Sequence, residues 1–263
     1  MIYTISQAAE HWYGIKADPA DIKKLENHLL RQYGNIDQGT IKEVFLSGEA
    51  AAYLTVNETY FFREPVHFSL LDDFLSGLDT TFLQICCAAC ASGCEAYSIA
   101  IFIETYNKNS KYPIHYHIDA CDLNPKAIDT ALGGIYSPRV LREDGNCFHT
   151  ITEPFLKKSG DTYIIDGSLK KHISFFVHNL LYKLPAKKYD LVFFRNALIY
   201  FLPQKRELLL SNLSASLKEG GHFVVGVSET AAIDHCDFEQ INTNDIFYFK
   251  KRKRSAVNLS LQI

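Results

Sequence analysis

The chain lacks any apolar run approaching the roughly 20 residues that a membrane-spanning helix needs, which sets such a helix aside. Its opening, MIYTISQAAEHWYG, has neither the basic start nor the apolar core of a secretory leader. Charge of one sign is also missing. Against 27 Lys and Arg stand 30 Asp and Glu, and with a net charge of −3 nothing overall suggests nucleic-acid binding. Internal repeats are absent. The cysteines number seven and cannot all pair, and Cys86 and Cys87 adjoin in an apolar run. That usage points to a reducing cytoplasm. The three-glycine dinucleotide fingerprint is absent too: the one strand–helix turn of that type carries a single glycine, Gly93.

What is present is a soluble α/β pattern. Hydrophobic residues make up 47% and charged residues 22% of 263, enough for one large α/β domain with a small addition. Residues 82–93, FLQICCAACASG, read as a strand running into a tight small-residue turn. Apolar residues then recur at helical spacing (Tyr97, Ile99, Ala100, Ile103). Ligands of parallel α/β sheets bind at such strand ends, where small residues admit a close approach and a helix N-terminus offers free N–H groups. A second strand, 114–121, ends in Asp122-Leu123-Asn124-Pro125. An acid at this strand tip is placed to accept hydrogen bonds from ribose hydroxyls. The alternative use of Asp122 is to cap the helix starting near Pro125, a task open also to Asn124.

The first 55 residues read as short helices. Asp18-Pro19 predicts a cap with proline at the first helical position, followed by an apolar stripe of Ile22, Leu25, Leu29 and Leu30. Thr40 to Glu43 fits a capping box. Acids outnumber bases here, with a local basic patch at Lys23, Lys24 and Arg31. The segment NETYFFREP, 57–65, leads into a helix over 66–75; Asn57, Thr59 and Arg63 either face a cleft or mark a plain junction. A helix over 125–132 stops at Gly133-Gly134. An irregular stretch runs to about 155, and 162–165 with 174–178 predict an antiparallel hairpin turning at Asp166-Gly167. Further strands are expected at 189–194, 222–227 and 245–250, with a helix over 203–217 stopped at Gly220-Gly221. The sum is a doubly wound, mostly parallel sheet with an antiparallel edge strand and polar residues at its strand ends: Asp122, Asn196, Ser228 and Glu229.

Taken in order, these stretches resemble the chemoreceptor protein-glutamate O-methyltransferases, the CheR family, from about residue 41 to 249. The motifs are Asn57 to Arg63, Ala88 to Ser98, Cys121 to Asn124, Gly134 to Tyr136, Asn179 to Leu181, Arg195 to Phe201 and Gly226 to Glu229. The resemblance implies a Rossmann-like S-adenosylmethionine-dependent methyltransferase fold. It implies a helical N-terminal domain (1–56), a methyltransferase domain (57–250) with a β-subdomain at about 147–177, and a basic tail (251–263). It maps cofactor binding onto Asn57, Thr59, Arg63, Glu95, Asp122, Asn179, Leu180, Arg195 and Asn196, and catalysis onto Arg63 and Tyr200. The implied reaction methylates glutamates of chemoreceptor cytoplasmic domains, with S-adenosylhomocysteine as product. A cytoplasmic monomer that uses no metal and contacts neither nucleic acid nor bilayer is expected. The sequence departs from the family's turn at Cys94, which replaces a glutamate, and at Ala96, which replaces a proline. These departures motivate the alternative of a cofactor-binding regulatory module that methylates no receptor. A small-molecule carboxyl methyltransferase and a zinc site at Cys87, Cys90 and Cys94 are further alternatives; the zinc spacing lacks a second ligand pair.

Overall fold

The computed structural model describes residues 2–78, 80–185, 188–243 and 246–253. Asp245, expected to open the last strand, and residues 254–263 of the basic tail lie outside the described residues.

Helix α1 (Ile5–Ala8) continues as a π-helical turn, Ala9–Tyr13. Helices α2 (Pro19–Tyr33), α3 (Gln38–Leu46), α4 (Ala51–Leu54) and α5 (Val66–Ser76) follow. The Asp18 side chain caps α2 by accepting from the Ala20 amide, with Pro19 behind it. Leu25 and Leu29 are fully buried, whereas Leu30 is 49% exposed and lies off the stripe. The capping box expected at Thr40 does not form. Asp37, three residues earlier, accepts from the Thr40 amide at 2.8 Å and starts α3 ahead of it. A carboxylate in the Ncap position satisfies the same orphan donor and favours the positive helix end.

Strands β1 (Phe82–Ala88) and β2 (His115–Asp122) flank helix α6 (Cys94–Asn109). Helix α7 (Pro125–Gly133), capped by Asn124 with Pro125 behind it, leads to β3 (Ile135–Tyr136). Then come a short helix α8 (His149–Thr152), β4 (Leu156–Ser159), β5 (Thr162–Ile165), a helical turn α9 (Gly167–Lys170) and β6 (Ile173–Val177). Strand β7 (Tyr189–Phe194), helix α10 (Pro203–Ser216), β8 (Leu217–Val225), β9 (Phe238–Thr243) and β10 (Ile246–Lys251) complete the order.

Seven strands form the main sheet in the order β6-β2-β1-β7-β8-β10-β9. Strands β6, β2, β1, β7 and β8 run parallel. Strand β10 is antiparallel to both neighbours and stands one place in from the edge, with β9 outside it. The central strands are near-continuous apolar runs because helices cover both faces: from Ile85 to Ala88 and from Ile118 to Asp122 every residue is buried.

The small sheet differs from expectation. Strand β5 pairs with β4 and β3, not with 174–178. The latter is β6, which joins the main sheet beside β2, Ala120 opposite Phe175. Asp166 caps α9 by accepting from the Ser168 amide and makes no hairpin turn. The antiparallel strands therefore lie within 135–165 rather than reaching 177. Helix α10 ends at Ser216, and Gly220 sits at φ +75° inside β8.

Candidate active site

The carboxyl ends of β1, β2 and β7 open on one cleft. Its floor is the turn after β1. Ala89, Ala91 and Gly93 all take left-handed backbone conformations, at φ +59°, +48° and +86°. Side chains other than glycine adopt that region at a cost, and such strain persists where surroundings over-determine it. Here the surroundings are Asp122 and the neighbouring strand. The Cys90 amide donates to the Cys121 carbonyl at 2.9 Å, and the Ala91 amide to Asp122 Oδ2 at 2.8 Å. Gly93 is required twice over, by its φ and because an added Cβ would stand 2.8 Å from Ala131 Cβ.

Asp122 is 8% exposed. Its Oδ1 accepts from the Asn124 amide at 2.9 Å, while Asn124 itself caps α7. Capping is thus the work of Asn124, and Asp122 keeps lone pairs on both oxygens free for a ligand. Burial raises its pKa, and the amides it accepts from oppose that rise.

Arg195, at the end of β7, has its side chain 2% exposed and ties the centre together. Its Nη1 donates to Glu95 Oε2 at 2.7 Å, and its Nη2 to Glu64 Oε2 at 3.1 Å and the Arg63 carbonyl at 2.5 Å. Its Nε is buried with no partner among the described residues. Burial pushes the Glu95 carboxyl up, against the pull of Arg195. For Glu64, burial pushes up as well, but Arg195 above all, with Asn196 Nδ2 and the Val227 amide, outweighs it and the pKa falls. Glu229, 1% exposed, accepts from the amides of Asn196, Leu198 and Gly226 and pins Asn196 at φ +57°. A Cβ at Gly226 would stand 2.7 Å from Asn196 Nδ2 and would force that side chain to shift.

The segment 57–64 forms the opposite wall. Its turn places Phe62 and Glu64 at φ +54° and +53°. The Phe62 amide donates to Ser98 Oγ on α6, and the Phe61 amide to the Val140 carbonyl. Arg63 Nη1 donates to the Glu58 carbonyl at 3.0 Å, and its guanidinium lies 5.5 Å from the Tyr60 ring centre. The N-terminal helices close one side. Asn179 Nδ2 donates to the Trp12 carbonyl, the Leu202 amide to the Gly14 carbonyl, and Ile15 bridges to Phe201. Tyr200, 37% exposed, stands there in a single 3-10 turn, 198–200.

Every residue expected from the sequence lines this cleft: Asn57, Thr59, Arg63, Glu95, Asp122, Asn179, Leu180, Arg195, Asn196 and Tyr200. Sequence reasoning missed Tyr13, Ile15 and Lys16 in its lining, His178 beside Asp122, and the part played by Glu64. Cys87, Cys90 and Cys94 are all buried, and burial raises each thiol, Cys94 to about 12. Cys94 and Ala96 pack in the core between α6 and the sheet and do not line the cleft.

Numbering only the strands of the main sheet, their order is 3-2-1-4-5-7-6 with the seventh reversed. With an acid at the tip of the second strand and a strained turn after the first, this is an S-adenosylmethionine-dependent methyltransferase. The profile of the CheR methyltransferase SAM-binding domain matches residues 57–247, and the chain belongs to that family. A chemotaxis protein methyltransferase of Listeria innocua is 32% identical over 222 residues, covering 83% of this chain and 82% of the relative. One from Vibrio parahaemolyticus is 30% identical over 204 residues, covering 75% and 73%. A solved DhpI–S-adenosylhomocysteine complex aligns with 73% of this chain and 69% of that chain at 14% identity and a TM-score of 0.36.

Proposed function

We propose that this methyltransferase acts on glutamate side chains of chemoreceptor cytoplasmic domains, giving methyl esters, in the adaptation of chemotaxis. The observation that carries the reading is the state of Arg63. Arg195 is committed to Glu64 and Glu95, whereas Arg63 lines the same cleft and binds no carboxylate among the described residues. A guanidinium fork matches a carboxylate.

The donor set suits the cofactor. Asp122 accepts from the ribose hydroxyls with its remaining lone pairs, and Glu95 faces the amino acid's ammonium group. The cofactor supplies, when bound, a methyl group activated on a sulfonium. A glutamate acceptor has a pKa of about 4.3 and is ionised at neutral pH, so no side chain has to remove a proton. Arg63 holds the acceptor carboxylate and the Tyr200 hydroxyl orients it. Positioning of this kind contributes up to about 7–11 kcal/mol. The buried walls, Phe62 and Leu180 among them, exclude water from the ionised oxygen. Because Cys94 and Ala96 lie in the core, the two departures from the family's turn leave the cleft lining intact, which favours an enzyme over a regulatory module.

The test is transfer of labelled methyl from S-adenosylmethionine to receptor-containing membranes, followed by alkali. Methanol released above a receptor-free control supports carboxyl methylation. No release from protein that binds S-adenosylhomocysteine overturns it in favour of the module.

A further inference from the structure

Glu95 presents a difficulty as an ammonium site. Its Oε2 already receives Arg195 Nη1 at 2.7 Å, and a buried carboxylate–guanidinium pair is neutral as a unit. A cation gains little from approaching it. The structure supplies a second carboxylate on the same guanidinium: Glu64 Oε2 receives Arg195 Nη2 at 3.1 Å. Two carboxylates then share one cation, and the trio itself carries a net negative charge, with the Arg63 guanidinium of the same cleft, assigned above to the acceptor, as the other charge acting on Glu95.

We infer that Glu64 keeps the ammonium site negative, by engaging the far side of Arg195 so that the charge of Glu95 remains available to the cofactor. This rests on the placement of the ammonium at Glu95 proposed above. Glu64 touches no cofactor in this scheme; it is a positioning residue that acts through Arg195.

Its other neighbours leave that charge in place. Asn196 Nδ2 donates to Oε1 at 2.9 Å and the Val227 amide to Oε2 at 3.2 Å, and both are neutral. His67 Nδ1 lies 3.4 Å from Oε2, but the ring is 2% exposed and burial, with Arg195 nearby, lowers its pKa to about 3, so it stays uncharged. The φ of +53° at Glu64 is a strained conformation for a non-glycine residue, held by these contacts. It points the carboxylate back at Arg195 from the turn that also carries Arg63.

Calorimetric titration with two ligands tests the inference. One is S-adenosylhomocysteine, and the other is its analogue with hydrogen in place of the α-amino group. Glu64→Gln keeps the shape and removes the charge. It is expected to weaken S-adenosylhomocysteine on the order of tenfold, the scale of one charge-assisted contact, and to leave the analogue within about twofold. Glu64→Asp retains the charge and is expected to retain the preference for the amino ligand. Equal weakening of both ligands by Glu64→Gln, or none, overturns the inference. If that variant does not fold, loss of the amino preference in Glu64→Asp overturns it instead. Glu95→Gln separates the two levels. If it preserves the amino preference, the ammonium does not bind at Glu95 and the underlying placement fails. If it abolishes the preference while Glu64→Gln does not, only the role of Glu64 fails.

Discussion

Replacing Asp122 by asparagine probes the joint between fold and site. The carboxylate receives two backbone amides, Ala91 at 2.8 Å on Oδ2 and Asn124 at 2.9 Å on Oδ1. Asparagine has one acceptor oxygen, so one buried amide loses its partner and faces an NH₂ group, at a cost of about 1–3 kcal/mol. Part of this is returned. Burial disfavours the charged carboxylate, as its raised pKa shows, and asparagine carries no charge. The net loss therefore falls near the lower end, about 1–2 kcal/mol, or a melting temperature lower by roughly 2–8 °C for a chain of this size. Cofactor binding suffers more. Hydrogen bonds from ribose hydroxyls to a charged acceptor are worth about 1.5–3 kcal/mol, so the Kd for S-adenosylhomocysteine rises between roughly tenfold and a hundredfold. Calorimetry and a thermal melt on the same preparation read both effects. Unchanged affinity with a lowered melting temperature refutes the ribose assignment and leaves Asp122 as a backbone brace alone.

Other outcomes follow from the same geometry. Tyr200→Phe lowers turnover by tenfold or more, on the order expected for lost positioning, while S-adenosylhomocysteine affinity measured by calorimetry stays unchanged. Cofactor affinity declines on acidification at a pH above the ordinary carboxylate range, because burial raises both Glu95 and Asp122; titrations between neutral and mildly acidic buffer show it. His67, lowered from 6.5 to about 3 by burial, binds a proton in the unfolded chain before the folded one. Its contribution to stability is present above pH 6.5 and is lost as pH falls towards 3, at up to about 1.4 kcal/mol per pH unit. Denaturant unfolding of His67→Leu accordingly shows a shallower acid dependence than the parent. Gly93→Ala costs about 1–3 kcal/mol or more, from the left-handed φ and the 2.8 Å approach to Ala131, and a melt measures it.

Much of the sheet was legible because its central strands announce themselves. FLQICC, IHYHIDAC and YDLVFF are unbroken enough to read as strands buried on both faces, and Asn124-Pro125 and Asp18-Pro19 carry helix starts in their own chemistry. Pairing was less so. The residues of β6 look alike whether they close a hairpin or join β2 some 55 residues back, with Ile118 opposite Ile173, and nothing local decides between them. Strand β9, FEQINT, is polar at an exposed edge and gave no signal. At Thr40 the capping pattern was real, but Asp37 competed for the same amide and won. For the site, motifs named ten of the residues lining the cleft yet could not show how they are wired. The Arg195–Glu95 pair joins positions a hundred residues apart, and Glu64, next to a proline just ahead of a helix, carried no functional signal of its own.

The central claim is that the acceptor is a glutamate carboxylate on a receptor. The most direct measurement is fragmentation mass spectrometry of receptor cytoplasmic fragments after incubation with the protein and S-adenosylmethionine. The account predicts methyl groups on glutamate side chains, removed by mild alkali and absent when Arg63→Ala replaces the parent protein. Methyl groups on another residue type, or none from a protein shown by calorimetry to bind the cofactor, would contradict it.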